Sequence, residues 1–359
     1  MTWNINWDSI FPDGDPQNHP FRTVERVDEF RRVIAAINPD IACLQEINQA
    51  RNPSVVVAIF NTVLAPPGGG TWYGARGGDN FTISKFPFTR VDTQTAPPGF
   101  GRRCMTLVDL PNGFSADFYL VNEHYKCCGG PDNEALRQQQ SDSMVNWLRD
   151  ARTAGGNITL ASNTPIVILG DLNIVEGPQP LDTLLCGDII DETTFGPDAP
   201  PDWDGSCLLD AHPLHNVAGP DDYTWREDSS PFDPGRLDYV LFSNSRIRIA
   251  HRYILNTATM SPDDLAAAGL QQYDTILTPP GDYDHLPLVI DFRFGAAGDL
   301  NCDDLVNNFD IDAFVLALTD PAAFEASYPG CEVSRADMNV DGAINNFDID
   351  PFVMVLTGA

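Results

Sequence analysis

The chain has 359 residues, 43% of them apolar, and sets 51 acidic against 21 basic side chains, a formal net charge of −30. That length holds one large domain and a small one, the composition is that of a folded chain, and no apolar run reaches the ~20 residues that span a bilayer. So acidic a surface disfavours polyanions, because non-specific nucleic-acid binding rests on Lys and Arg contacts to phosphate, and Lys85 and Lys126 are the only lysines; adaptation to a salty medium explains the charge equally well.

In chain order, Thr2-Trp3-Asn4-Ile5-Asn6 reads as a first strand with no charged-then-apolar leader before it, so an exported form is expected to have lost its leader. Residues 23–37 place Val24, Val27, Phe30, Ile34 and Ile37 on one helical face, and Pro39 ends the helix. Residues 41–47 are a strand finishing in Leu44-Gln45-Glu46, and 118–124 another, finishing in Asn122-Glu123-His124. Residues 133–153 predict a polar helix carrying Leu136, Met144, Trp147 and Leu148. Residues 165–169 are an unbroken apolar strand of the fully buried kind, closed by Gly170, with Asp171-Leu172-Asn173 following. Residues 186–235 are rich in Asp, Pro and Gly, with Trp203, Tyr223 and Trp225 embedded; so long a loop is either functional or an ordered cover for the core. Strands at 239–242 and 286–292 follow Arg236-Leu237-Asp238 and Asp284-His285. The expected class is α/β, two packed sheets flanked by helices. Arg26, Arg31, Arg32, Arg102, Arg103, Arg246, Arg248 and Arg252 read as solvated charges.

Phe294-Gly295-Ala296-Ala297-Gly298 marks a boundary, giving units 1–294 and 299–359 with a linker at 295–298. The second unit contains a repeat: Asp299-Leu-Asn-Cys-Asp-Asp-Leu-Val-Asn-Asn-Phe-Asp is matched 38 residues later by Asp337-Met-Asn-Val-Asp-Gly-Ala-Ile-Asn-Asn-Phe-Asp, and each copy precedes a short apolar helix, 311–318 and 349–356. Oxygens at loop positions 1, 3, 5, 9 and 12 with a carbonyl at 7 can wrap Ca²⁺. The first loop offers Asp299, Asn301, Asp303, Leu305 (carbonyl), Asn307 and Asp310; the second offers Asp337, Asn339, Asp341, Ala343 (carbonyl), Asn345 and Asp348. Position 6 is Gly342 in the second and Asp304 in the first, which predicts a weaker first site.

Of eight cysteines, Cys302 and Cys331 are placed to bridge the C-terminal unit, Cys186 and Cys207 to close the long loop, and the adjacent Cys127 and Cys128 to form a strained vicinal pair. Cys43 and Cys104 lie in apolar runs and read as buried thiols. The cysteine count and the calcium loops together predict an oxidising compartment, a secreted or cell-surface location.

Phosphoester hydrolysis needs a deprotonated water, neutralisation of the phosphoryl oxygens and help for the leaving oxygen. Glu46 and Asp284 are hard oxygen ligands suited to Mg²⁺ or Mn²⁺, and Asn6 adds a neutral oxygen. Asp171 and Asn173, two apart, share a direction if the strand continues, so a carboxylate and an amide converge on one phosphate. Asp238 orients His285, His124 serves the transition state or the leaving oxygen, and Lys126 adds charge on the same strand face. Taken together and in this order, the motifs resemble the endonuclease/exonuclease/phosphatase superfamily, which includes DNase I, over roughly residues 1–294. The resemblance implies a DNase I-like sandwich in which Glu46, Asp171, Asn173, Asp238, Asp284 and His285 carry metal binding and catalysis, and Asn4 supports the phosphate site. His124 matches the DNase I-like branch, although no acidic partner for it stands out in the sequence. The C-terminal repeat resembles a dockerin module, which implies a cohesin-like scaffold partner. The expected activity is a phosphodiesterase; a DNase-like nuclease and a phosphomonoesterase are alternatives within the class, and a non-catalytic scaffold-binding protein is the alternative outside it.

Overall fold

A computed structural model describes residues 1–63, 70–92, 103–111, 117–217, 219–275, 284–294, 298–303, 305–329, 331, 333–339 and 343–357. Arg102, Asp304, Asp341, Gly342 and residues 295–297 of the expected linker lie outside this set.

Strands, numbered in chain order, form two mixed six-stranded sheets. The first runs β11 (Ile247–Ile254), β12 (Leu288–Phe294), β1 (Thr2–Asn4), β2 (Ile41–Gln45), β4 (Asn80–Ser84), β3 (Tyr73–Gly77). The second runs β5 (Phe88–Asp92), β6 (Cys104–Val108), β7 (Phe118–His124), β8 (Ile166–Asp171), β10 (Asp238–Phe242), β9 (Leu209–Asp210). Helices α1 (Val27–Ile37) and α2 (Pro53–Val63) contribute Phe30, Ile34 and Phe60 to a buried cluster with Trp3, Leu44 and Phe81 of the first sheet. Helices α3 (Pro131–Ala151) and α4 (Gln179–Cys186) contribute Met144, Leu148 and Leu184 to a second cluster with Tyr119, Val121, Ile166, Ile168 and Leu241. Between the sheets, Cys43, Phe118, Leu120, Val167, Leu169, Val240 and Leu288 form a third. The result is four layers, helix–sheet–sheet–helix, as the α/β expectation had it.

Strand alternation turns this layering into a site. Side chains two apart share a face, so the inward row of β7 is Phe118, Leu120, Asn122, His124, and that of β8 is Val167, Leu169, Asp171. Each row is apolar in the middle of the sandwich, where a buried Leu or Phe contributes roughly 1.5–3 kcal/mol, and polar at one rim. Just below that rim Gln45 Nε2 donates to Asn122 Oδ1 (2.7 Å) and Thr2 Oγ1 (3.0 Å), and Asn122 Nδ2 to Leu44 O (3.3 Å). Buried amides are tolerated because these bonds are made.

Several expected boundaries shift, each for a local reason. Helix α1 begins at Val27, not at residue 23, because the Arg26 N–H is committed to Ser9 O at 2.8 Å. Strand β2 stops at Gln45 because Glu46 turns left-handed, φ 64°. Gly170 does not close β8 but lies within it at φ 131°, where an added Cβ would fall 2.0 Å from Glu123 O. Gly170→Ala is therefore expected to cost about 3–5 kcal/mol, read as a lowered midpoint in urea unfolding. Arg103 is no solvated charge: it is buried against Glu123, Nε to Oε1 2.9 Å, and donates to Gln140 O. Arg32 holds buried Asp274 through two nitrogens, and Arg252 donates to Ala211 O, so these too are structural. Lys126, past the end of β7, is exposed.

The long loop does two jobs. Its first part is closed by the Cys186–Cys207 disulfide and packs Trp203 against the second sheet's outer cluster; its second part reaches the polar rim. Beyond β12 lie α7 (Ile311–Thr319), α8 (Pro321–Ser327) and α9 (Ile349–Thr357), with α5 (Glu192–Phe195) and α6 (Pro262–Ala268) earlier in the chain. Leu300, Phe314, Phe324 and Phe352 form a separate buried cluster, with Phe314 stacked on Phe352 at 4.0 Å, and Cys302–Cys331 is a disulfide. The described residues of the two repeats share one hydrogen-bond pattern. Asp310 accepts N–H groups from Leu300, Asn301 and Asn307, and Asp348 accepts them from Met338, Asn339 and Asn345.

Candidate active site

Register places the rim residues side by side. Parallel pairing of β7 with β8 sets His124 opposite Asp171, and antiparallel pairing of β8 with β10 sets Asp238 opposite Asp171 on the other side. Cross-strand neighbours stand ~4.5–5.5 Å apart at Cβ, so one row of the second sheet presents His124, Asp171 and Asp238. From the first sheet, Asn4 at the end of β1 and Glu46 just past β2 face this row. Residues 284–287 enter β12 beside it: Trp225 pairs with His285 in an isolated bridge, and Trp3 Nε1 donates to His285 O at 2.9 Å.

Asp171 is the hub. Its Oδ2 accepts from Asn4 Nδ2 at 3.1 Å and lies 3.6 Å from His285 Nε2 and 3.7 Å from His124 Nε2. His285 Nδ1 is 2.7 Å from Asp238 Oδ2, and the Leu237 and Asp238 N–H groups both donate to Thr224 Oγ1 at 2.9 Å. His124 Nδ1 is 3.0 Å from Asp79 Oδ2, and its Nε2 is 4.0 Å from Glu46 Oε1. Glu46 Oε2 accepts the Trp7 N–H at 3.0 Å, and Trp225 Nε1 donates to Asp284 Oδ2 at 3.1 Å.

The electrostatics follow from burial among carboxylates. Burial pulls both imidazoles toward neutrality, but for His124 the bond to and charge of Asp79, with Asp171 and Glu46, outweigh it and hold the group at about 9. For His285, burial likewise yields to the charges of Asp238, Asp171 and Asp284, which raise it well above the ordinary value. The carboxylates thus hold both rings toward the protonated form. Burial pushes the Asp171 carboxyl above its usual range, opposed by the His285 charge, and pushes Glu46 up to about 7, with Asp284 adding to the repulsion against the pull of His124.

Two observations fit a divalent cation. Ligand atoms of Asp171, Asp238 and His285 lie within 4.8 Å of one another, and buried Asp238 Oδ1 has no hydrogen-bond partner. Desolvated carboxylates such as Glu46 beside Asp284 are relieved by a small hard cation. That cluster borders Glu46, Asp284 and Asn6, the residues expected to hold the ion, and His285, held toward its protonated form, has no lone pair to give it. Asn6 is left-handed, φ 50°, and its N–H donates to Asn4 Oδ1 at 3.1 Å.

One expectation is overturned. Asn173 does not extend the strand: it is left-handed at φ 50°, its N–H donates to Asp171 Oδ1 at 3.0 Å, and its Nδ2 is 3.4 Å from Tyr125 O. It therefore reaches the site by a turn, bracing Asp171. Asp79, Thr224 and Trp225 are additions the sequence did not single out for the site. The row Asn122, His124 and Lys126 also breaks at His124, where β7 ends.

Asn6, Trp7, Asp8, Glu46 and Asn173 all take positive φ around this rim, as is common where a site over-determines its chain. A family model described as the Endonuclease/Exonuclease/phosphatase family matches residues 1–261. No curated protein gives a significant match. Similar solved structures include an endonuclease/exonuclease/phosphatase from Bacteroides vulgatus, 16% identical over 82% of this chain and 97% of that one, TM-score 0.49. D. rerio TDP2 complexed with single strand DNA product is 14% identical over 81% and 97%, TM-score 0.47. The human Nocturnin catalytic domain with bound sulfate anion is 16% identical over 82% and 93%, TM-score 0.45. By the span of the family match, with its motifs gathered at one rim, this chain belongs to the divalent-metal-dependent endonuclease/exonuclease/phosphatase family.

Proposed function

We propose that the chain is a divalent-metal-dependent phosphodiesterase. The observation that carries the reading is the convergence of Asn4, His124 and His285 on Asp171 Oδ2 within 3.7 Å. Glu46, Asp284 and Asn6 are the residues assigned to hold Mg²⁺ or Mn²⁺, which would neutralise charge on the phosphoryl oxygens. The surrounding carboxylates hold both imidazoles toward the protonated form, so the role of base falls to Asp171, which takes the proton of the attacking water at Oδ2, braced by Asn4 and Asn173. His124, charged through Asp79, gives its Nε2 proton to the leaving oxygen. His285, oriented by Asp238, keeps its charge beside the phosphoryl group. The net charge of −30 weighs against the nuclease alternative. The test is hydrolysis of bis(p-nitrophenyl) phosphate: turnover with Mg²⁺ or Mn²⁺ is expected and is lost on chelation with EDTA. Turnover that EDTA leaves unchanged would overturn the reading, and no turnover with any metal would favour a non-catalytic scaffold-binding protein. Profiling DNA, RNA, choline phosphodiesters and phosphomonoesters then separates the substrate classes.

Residues 299–359 are proposed to be a dockerin-like calcium module, joined at 295–298 to a catalytic unit of residues 1–294 in a secreted or cell-surface protein. Support comes from the oxygen-rich repeat, from buried Asp299, and from exposed apolar side chains at matching positions, Phe309 with Phe347 and Val315 with Val353, which suit a cohesin-like scaffold partner. Calcium removal is expected to lower the melting temperature of this module by ~5–10 °C. A melt identical in calcium and in chelator would count against the loops.

A further inference from the structure

The fold sorts the eight cysteines of the chain by reach. Four are in the disulfides Cys186–Cys207 and Cys302–Cys331. Cys43 and Cys104 are fully buried, and burial pushes their thiols up to about 11 and about 12, which makes them inert. Cys127 and Cys128 remain: exposed, adjacent in sequence, with Sγ atoms 2.7 Å apart.

Their setting is built. Lys126 Nζ stands 3.6 Å from Cys127 Sγ. Cys128 is left-handed, φ 74°. Beneath the pair, buried Arg137 donates through Nη1 to the carbonyls of Lys126 and Cys128, both at 2.9 Å, and is itself paired with Glu134 and Glu176. Upstream, the Tyr125 N–H donates to Asp171 O at 2.8 Å, and Tyr125 O faces Asn173 Nδ2. The two sulfurs are thus carried on backbone fixed on one side by a buried guanidinium and on the other by the active-site rim. Exposed cysteines held together in this way are poised for one another.

We propose that Cys127 and Cys128 are a redox-closing vicinal dithiol, a modification site that exchanges with low-molecular-weight disulfides and takes thiophilic trivalent arsenicals. The Cys127 thiolate attacks one sulfur of oxidised glutathione; the glutathione S–S bond breaks, one glutathione thiolate leaves, and a Cys127–glutathione mixed disulfide forms. Cys128, its proton passed to solvent, attacks Cys127 Sγ, and the second glutathione leaves as thiolate. Two protein thiols are oxidised, one external disulfide is reduced to two thiols, and the two protons released end on those thiols. With an aryl arsenic(III) oxide, two S–As bonds form, the As–O bonds break, and water carries off both thiol protons.

Intact mass of the folded, full-length protein is the readout. Oxidised glutathione is expected to remove two hydrogens, mapped by digestion to the peptide holding residues 127 and 128. Cys128→Ser is expected to stop at one glutathione adduct, and Cys127→Ser to react more slowly. Phenylarsine oxide is expected to add once to the parent, to be released by excess small dithiol, and to be washed from either single variant. Stable glutathione adducts on the parent without ring closure, or arsenical retention by the single variants, would overturn the proposal. Neither readout uses turnover, so its failure is distinguishable from failure of the phosphodiesterase reading.

Discussion

Asp171→Asn is expected to lower kcat on bis(p-nitrophenyl) phosphate by about 1,000-fold while the protein stays folded, its melting temperature lowered by only about 4–8 °C. The two halves of this result have separate causes. Activity falls because the amide keeps the shape of the carboxylate but cannot take a proton, and because the negative centre between two imidazoliums disappears. Stability falls only in part because two effects oppose: burial already pushes the carboxyl of Asp171, 1% exposed, toward the neutral form, so a neutral isostere relieves a desolvation penalty, while His124 and His285 lose this counter-charge but keep Asp79 and Asp238. The Asn4 bond is kept, since Asn4 Nδ2 can still donate to the remaining carbonyl oxygen. Steady-state kinetics and thermal unfolding of the same preparation decide it. A variant within tenfold of the parent would remove Asp171 from the chemistry, and a collapse in stability with lost activity would mark it as structural.

The parts of the site that were legible in the sequence are those that strand geometry dictates. Residues 118–124 alternate so that His124 falls on the same face as Phe118 and Leu120, and an apolar run ending in Gly170-Asp171 places a carboxylate at the rim whatever the details. What escaped reading arises from chain segments that meet only in three dimensions. Asp79 sits in the turn between β3 and β4 beside Gly77 and Gly78, and Asp beside Gly is ordinary turn chemistry, so nothing local marks it as the partner of His124. Trp225 and Thr224 come from a loop whose composition reads equally as cover or as site. Arg103 looked like surface because arginine usually is; its partner Glu123 lies on the opposite face of β7 from His124, a parity that the alternation did offer. The failure at Asn173 is of another kind. Two-residue spacing implies a shared direction only in extended backbone, and a left-handed Asn breaks that condition. The C-terminal repeat was legible as paired loops and helices, because an Asp at position 12 takes three backbone N–H groups in each copy irrespective of any ion.

Asp79→Asn is expected to move the alkaline limb of the kcat–pH profile downward, from about 9 in the parent toward the ordinary imidazole value near 6.5, and to cost ~10–100-fold in kcat at pH 8. The sign follows from which state binds the proton. His124 holds its proton more tightly folded than unfolded, so the stability this contributes is complete below 6.5 and is lost as pH rises through about 9. Activity that requires the charged ring is lost over the same upper limb. Burial alone would drive the ring neutral; the Asp79 carboxylate, 3.0 Å away and 1% exposed, is the first of the groups that reverse it. Asparagine keeps a hydrogen-bond acceptor at Oδ1 and removes the charge, so the ring stays in place while its proton is held less tightly. The expectation therefore separates orientation from charge: at pH 5.5 the variant should approach parental turnover, and at pH 8 it should not. A profile displaced equally at both pH values would mean that Asp79 only positions His124, and an unchanged profile would mean that the His124 proton plays no part in departure of the leaving oxygen.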